Sequence, residues 1–469
     1  MDIDRREFIQ QGTLAAGSLL VQPIVSTKTP VVKKRLAMVG TGDRGTSNWG
    51  TPILQNYGDT VEFVGLCDIN PGRVESAKKI IGTNCKTFTD FDLMMKEVKP
   101  DTLIITTVDA FHHEYIIKAL HYGSDVITEK PLTTDEVKCQ KILDAERATG
   151  KKVLVAFNYR HNPHVTKLKE ILATNRVGKI TSVDFHWYLN VFHGADYFRR
   201  WHSFINKSGS LWVHKASHHF DMLNWLIDSD PVEVMAYGQQ NHYGKNSSFR
   251  GKTCRDCEHT KDCKFYFDIN KTPKYVELYV KNEQHDGYHR DSCVFREEID
   301  IWDKMSAQII YANGVTVNYS LTTYSPYEGW RISFNGMNGR IDSWEDIPFQ
   351  SANATAAIDQ NAKHAAEMAQ VKDEKPESYD EIWIMDNFAQ KGESIYVPKY
   401  TTGHGGADSR LKDLIFKNPS NQNPLKIMAG TRDGAFSCLI GIAARKSIAL
   451  GRSVKISELT DLVPAINRG

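Results

Sequence analysis

At 469 residues the chain is too long for one hydrophobic core, because cores stop growing beyond about 250–300 residues, so at least two domains are expected. An apolar fraction of 41%, a charged fraction of 25% and a formal net charge of +1 exclude a polyelectrolyte that would seek nucleic acid. No apolar run approaches the roughly 18 residues that a membrane span needs, so no transmembrane anchor is expected.

The chain opens with Asp4-Arg5-Arg6-Glu7-Phe8-Ile9-Gln10 and then the weakly apolar run 12–20, which reads as a twin-arginine export signal. Residues 1–30 are therefore set apart from the fold. The expected location is periplasmic or otherwise exported, and cytoplasmic only if this signal is not used.

From Pro30 onward, apolar runs of four to six residues alternate with longer amphipathic stretches, the pattern of βα units in a parallel sheet. The predicted strands are 36–39, 63–67, 102–106, 125–128 and 153–157. Helices are predicted near 47–56, 72–81, 90–97, 113–122 and 134–148, the last opened by a capping box of Thr133 and Glu136. Residues 31–157 thus read as a doubly wound α/β domain. Beyond 158 the strands lengthen and alternate more openly, at 181–190, 233–238, 305–311, 316–321 and 331–335, as in a sheet with one covered face. This predicts an α+β domain over 158–455 with a large, mostly antiparallel open sheet, polar inserts near 240–300 and 345–425, an amphipathic helix at 433–451 and a tail from 456 to 469.

Gly40-Thr41-Gly42-Asp43-Arg44-Gly45 directly follows the first strand and opens a helix, which is the context of a dinucleotide fingerprint. The glycines allow a tight turn and close backbone approach to a pyrophosphate, while the following amides supply donors. Asp68 ends the second strand, where a carboxylate accepts ribose hydroxyls and repels a 2′-phosphate, so a Rossmann domain binding NAD is expected. At the same sheet edge stand Thr107, His112, Glu129 and Lys130. With the fingerprint residues Gly40, Thr41, Gly42, Arg44 and Gly45, they complete the expected cofactor set.

With Glu129-Lys130-Pro131 after the fourth predicted strand, the sequence over about residues 33–340 resembles the Gfo/Idh/MocA superfamily of glucose-fructose oxidoreductase and inositol dehydrogenase. The resemblance implies that Lys130 is a catalytic lysine beside the nicotinamide, where an ammonium can stabilise a developing alkoxide. In the segment 208–225 it matches His218 to the family's catalytic histidine and Asp221 to the aspartate that follows. The family's earlier aspartate is His214 here, so that histidine is expected to bind substrate or share the proton. If the segment is helical throughout, His214, His218, Asp221 and Trp225 share one face. His214, His218 and Asp221 could alternatively hold a metal, although the glutamate of a zincin motif is missing. The resemblance also implies that Tyr159 and Arg160, in the strand-end run 158–163, face the cleft; Arg199, Arg200 and Trp201 offer guanidinium forks and an aromatic platform, and all five join His214 and Asp221 as expected substrate contacts.

Cys254-x2-Cys257-x5-Cys263, with Cys293 further on, suits a structural zinc or two disulfides. The loop Gly403-His404-Gly405-Gly406-Ala407-Asp408 resembles one in long members of the superfamily. The expected activity is hydride transfer between a tightly held NAD and a hydroxyl carbon of a sugar, polyol or saccharide unit in carbohydrate catabolism, in a homo-oligomer. An NAD-dependent glycosidase would share the hydride step, but its Tyr-Pro-Thr-His-Gly type motif is absent from the sequence. A nucleotide-stabilised binding protein would need neither Lys130 nor His218.

Overall fold

The computed structural model describes residues 32–348, 376, 378–389, 391–400, 403–417 and 425–468. The twin-arginine motif and much of the second expected insert lie outside these. The buried aliphatic runs of the first half form six parallel strands, β1 (Lys34–Val39), β2 (Val61–Cys67), β3 (Lys86–Phe88), β4 (Thr102–Ile105), β5 (Asp125–Thr128) and β6 (Val153–Val155). Their order is β3-β2-β1-β4-β5-β6, so the strand order reverses between β1 and β4, where a doubly wound sheet opens its ligand crevice.

Two local expectations change. The helix after the glycine turn begins as a π-helical stretch, Arg44–Gly50, and becomes α-helical only over Thr51–Tyr57, with Pro52 in its first turn lacking the N–H that an uninterrupted ladder needs. The helix predicted from 134 starts instead at Glu136. Asp135 is its N-cap and accepts from the Lys138 amide at 3.0 Å, while the Thr133 hydroxyl is buried without a partner.

The second sheet has nine strands: β7 (Ile180–Asn190), β8 (Pro231–Gln239), β9 (Lys304–Tyr311), β10 (Thr316–Ser325), β11 (Gly329–Gly336), β12 (Gly339–Glu345), β13 (Ser378–Asp386), β14 (Glu393–Lys399) and β15 (Val454–Lys455). All neighbours pair antiparallel except β7 and β10. Strict exposed–buried alternation in β9 shows one face in water and the other covered. The helices Ala216–Ile227 and Thr431–Leu450 provide that cover. Thr431–Leu450 is buried around most of its circumference, not along one stripe, which explains why its amphipathic pattern is weak. Strands β13 and β14 fall within the stretch read as a polar insert and extend the sheet. The stretch 240–300 contains no strand but several short helical turns, and it folds back to the glycine turn of the first sheet.

Candidate active site

The carboxyl edge of the first sheet is built around Gly40. Its φ is +88°, and a Cβ there would come within 2.7 Å of the Thr106–Thr107 backbone, while one on Gly45 would meet the Thr106 hydroxyl at 2.6 Å. The turn is therefore pressed against the end of β4. Asp68 braces it from the end of β2, accepting the Thr41 amide at 2.7 Å and hydroxyl at 3.1 Å on one oxygen. Its other oxygen accepts the Asn70 amide at 3.0 Å and Arg73 at 3.3 Å. This close-packed turn, with a buried carboxylate where a ribose would lie, fits a dinucleotide.

The other residues expected at the cofactor divide. Thr107 lies against Gly40, as the turn requires. Glu129, however, accepts Arg44 at 2.6 Å and the Trp49 indole at 2.8 Å, so it fixes the arginine beside the turn. Both nitrogens of His112 meet backbone carbonyls, Pro131 at 2.8 Å and Thr107 at 3.1 Å, so its ring staples two loops and is not turned to a ligand. These two side chains act on the cradle's shape.

Lys130 ends the loop after β5 and enters a cis peptide bond with Pro131. Its ammonium donates to the His214 carbonyl at 2.9 Å and lies 3.4 Å from His214 Nε2, while His214 Nδ1 is 2.6 Å from the Asp109 carboxylate. Burial pushes Lys130 down to about 8. Burial also raises the Asp109 carboxyl and, with the nearby Lys130 charge, drives His214 well below the usual imidazole range. The pair is therefore best described by one proton held between Oδ2 and Nδ1, which leaves Nε2 as an acceptor toward Lys130.

His218 sits in the first turn of Ala216–Ile227, with its ring edge-on to Tyr159 at 4.9 Å and its Nδ1 buried without a partner. Burial, then Lys130 and Lys215, pushes it well below the usual imidazole range. His214 precedes this helix, so the single helical face of four residues is not formed. The reason lies in Ser208–Ser210, where Gly209 and Ser210 adopt positive φ and the chain turns before helix begins.

Asp221 and Arg160 are corrected most. They form a two-pronged ion pair at 2.6 and 2.7 Å, each 1% exposed, so both are locked beneath the site and neither meets a substrate. Arg199 also points away, donating to Cys254 Sγ at 2.9 Å and the Phe265 carbonyl at 2.7 Å. Arg200 and Trp201 remain near the chemistry: Trp201 stands edge-on to His214 at 5.6 Å and stacks on His202. Tyr159 stays there through His218.

Sequence reasoning missed Asp109, His202 and Lys215. His202 has its ring 4.1 Å from that of His214, and the Lys215 ammonium lies 5.1 Å from the Trp187 ring and 5.7 Å from that of Tyr159. Lys215 adjoins His214 within the segment 208–225, and that adjacency is its available signal. The glycine-rich loop does arrive here: Asp408 accepts from His404 at 2.8 Å, Asn48 at 3.1 Å and Asn158 at 2.8 Å, and the His404 ring is 6.2 Å from Tyr159.

Cys254, Cys257, Cys263 and Cys293 form neither expected structure. All four are thiols, and no group of three or more potential ligands among the described residues is arranged to hold a metal. Cys254 is instead held by Arg199, which ties the insert to the helix Val191–Arg199. His214, His218 and Asp221 likewise do not converge, because Asp221 faces Arg160.

Residues 34–157 match the model of an oxidoreductase family's NAD-binding Rossmann fold, and residues 169–456 match that family's C-terminal alpha/beta domain. YteT of Bacillus subtilis (strain 168), described as an oxidoreductase, is 34% identical over 445 residues, covering 91% of this chain and 98% of its own. An inositol 2-dehydrogenase of Salmonella typhimurium is 26% identical over 204 residues, 43% of this chain and 57% of that relative, so the match spans little more than half of its length. Among solved structures, a levoglucosan dehydrogenase in complex with NADH and levoglucosan superposes with a TM-score of 0.61 at 16% identity, covering 91% of this chain and 100% of that one. With both halves matched in order and a relative aligned over nearly its whole length, the chain belongs to the Gfo/Idh/MocA family of NAD-binding oxidoreductases.

Proposed function

We propose that this enzyme transfers hydride between NAD and a hydroxyl-bearing carbon of a sugar, polyol or saccharide unit, with the nucleotide held tightly through turnover. The observation that carries the reading is Lys130, a half-buried ammonium at 3.4 Å from the Asp109-linked His214, close to His218 with its unpartnered buried nitrogen. When bound, NAD supplies the hydride acceptor. The glycine turn and Asp68 would hold it, and Lys130 positions the substrate oxygen and stabilises negative charge on it. His218 is neutral and accepts the hydroxyl proton as the carbon is oxidised, returning it in the opposite direction. Trp201 and Tyr159 offer aromatic faces suited to the apolar face of a ring.

The inositol and levoglucosan dehydrogenases among its relatives support a polyhydroxylated substrate. A place in carbohydrate catabolism, export through the twin-arginine segment, and a homo-oligomer formed through the outer sheet face bearing Tyr237, Tyr379 and Tyr396 belong to the same reading. Denaturing the purified protein and weighing the released nucleotide identifies the cofactor. A panel of sugars, polyols and glycosides followed by reduced-nicotinamide absorbance then identifies the substrate class. Release of no nicotinamide nucleotide, or turnover confined to compounds without a ring or chain of hydroxyls, would overturn the reading. Fractionating cells that carry Arg5→Lys with Arg6→Lys tests export, which predicts retention of that variant in the cytoplasm.

A further inference from the structure

The segment 273–290 of the first insert covers the glycine turn from outside. The Tyr279 hydroxyl accepts the Asp43 amide at 2.7 Å, and a Cβ on Gly42 would meet that hydroxyl at 3.1 Å, so the ring lies over the middle of the turn. Lys274 pairs with the Asp43 carboxylate at 2.6 Å and donates to Ser47 at 3.0 Å. Further along, Asn70 donates to the Asn282 carbonyl at 2.9 Å, and Arg73 pairs with Asp286 at 2.6 Å. Four insert residues, Lys274, Tyr279, Asn282 and Asp286, thus bind the insert to the glycine turn and to the segment after β2.

Arg290 stands out within this layer. It is 7% exposed, with its guanidinium carbon 4.1 Å from the Tyr275 ring centre and 5.1 Å from that of Tyr279. Among the described residues no carboxylate lies at ion-pair distance and its Nε is buried without a hydrogen-bond partner. Its neighbours are matched: Arg255 with Glu283 and Asp291, Arg73 with Asp286, and Arg296 with Glu298. The nearby acids are also occupied, Asp43 by Lys274 and Asp196 by Arg200. Asp196 and the surrounding tyrosines favour the Arg290 charge only from beyond bonding distance, and a buried guanidinium without a directly bonded anion is costly unless one is delivered to it. Burial would raise the Asp43 carboxyl, but Arg290 and Lys274 hold it below the ordinary range, so the Arg290 charge is felt at the turn itself.

We propose that Arg290 is a cofactor-binding residue: carried by the insert from the second half of the chain, its guanidinium pairs with the pyrophosphate of the dinucleotide at the Gly40–Gly45 turn. The proposal rests on the NAD reading of that turn. The pyrophosphate is the part of the cofactor that matches in charge and position, because the ribose end at Asp68 already has Arg73, closed between Asp68 and Asp286. Tyr279 adds to the cradle, since a hydroxyl that accepts the Asp43 amide still has its own proton to give to a phosphate oxygen. The insert then acts as a strap that slows release of the nucleotide.

Calorimetry on nucleotide-stripped full-length protein, with NAD and with ADP-ribose, tests this without any turnover measurement. Arg290→Gln should weaken both ligands by about tenfold to hundredfold, the effect of one lost charge-assisted bond. It should also flatten the dependence of affinity on salt, while the unliganded melting temperature stays near that of the parent. Equal affinity in parent and variant overturns the proposal and leaves the cofactor reading standing. Binding of neither ligand by the parent overturns both. Weaker binding with an unchanged salt dependence and a lowered melting temperature shows Arg290 to be only a brace and overturns it too. Arg290→Lys keeps the charge without the fork and serves if the glutamine variant does not fold: a several-fold loss for ADP-ribose supports the pairing, and an unchanged affinity overturns it.

Discussion

Asp109 and His214 meet at 2.6 Å although 105 residues separate them, so a carboxylate from the first sheet's edge reaches the histidine that stands in this sequence where the resembled family carries an aspartate. The imidazole extends that carboxylate toward Lys130. Asp109→Asn keeps the shape but cannot hold the Nδ1 proton as a carboxylate does, leaving His214 free to adopt the other tautomer and present N–H to the ammonium. Turnover should fall by about 10²-fold, within the span of a lost acid–base partner, while bound nucleotide, quantified after denaturation, stays stoichiometric. Unchanged turnover in this variant would remove Asp109 from the chemistry.

Lys130 and His218 are assigned to one reacting hydroxyl, so their effects should not add. Lys130→Met and His218→Ala should each lower kcat by roughly 10²–10⁴-fold, and the double variant should be little worse than the weaker single, as groups serving one transition state behave. Steady-state rates of the three proteins, each first checked for retained nucleotide, decide it. Multiplication of the two losses would assign the residues to different steps.

The pH profile follows from burial. A lysine lowered to about 8 is an ammonium below that pH and loses its donor proton above it, so kcat/KM for alcohol oxidation should decline as pH rises through about 8. His214 and His218 are pushed well below the ordinary imidazole value, so both remain neutral as pH falls through 6.5 and no acid limb should appear there. Lys130→Arg keeps a charge over the whole range, and any residual activity in it should lack the alkaline decline. A decline that persists in that variant belongs to another group.

Much of this arrangement was legible before the structure. The alternation of aliphatic runs with amphipathic stretches located five of the six parallel strands, and the glycine turn with Asp68 placed the nucleotide edge. The strand β3 was not legible, because Lys86–Phe88 is three residues long and one of its three side chains is buried. Asp109 sits in a run, Val108-Asp109-Ala110-Phe111, with no local signal; its role depends on a contact with a residue far along the chain. Arg160 and Asp221 stand at motif positions that the resemblance places at the cleft, and spacing alone does not reveal that two opposite charges are buried against each other. The insert's closure onto the glycine turn was hidden for the same reason, since composition shows a polar stretch and not where it lands.

The Arg160–Asp221 pair offers the sharpest separation of a structural from a catalytic role. Arg160 also donates to Asp433 at 2.8 Å and to the Lys426 carbonyl at 3.1 Å, so one guanidinium joins the helix Ala216–Ile227, which carries His218, to the start of Thr431–Leu450. Arg160→Met strands the buried Asp221 carboxylate, while Asp433 keeps Arg468 at 3.1 Å, and should destabilise by about 3–5 kcal/mol. Asp221→Ala should cost less, because Arg160 keeps its bond to Asp433. The double variant Arg160→Met with Asp221→Leu removes both charges and should recover part of the loss, since apolar replacement of a buried pair is often neutral. Denaturant unfolding of the three proteins measures these changes. In the fraction that remains folded, KM for substrate should change little, because neither side chain reaches the space beside His218 and Lys130. A large rise in KM with unaltered stability would return Asp221 or Arg160 to the substrate.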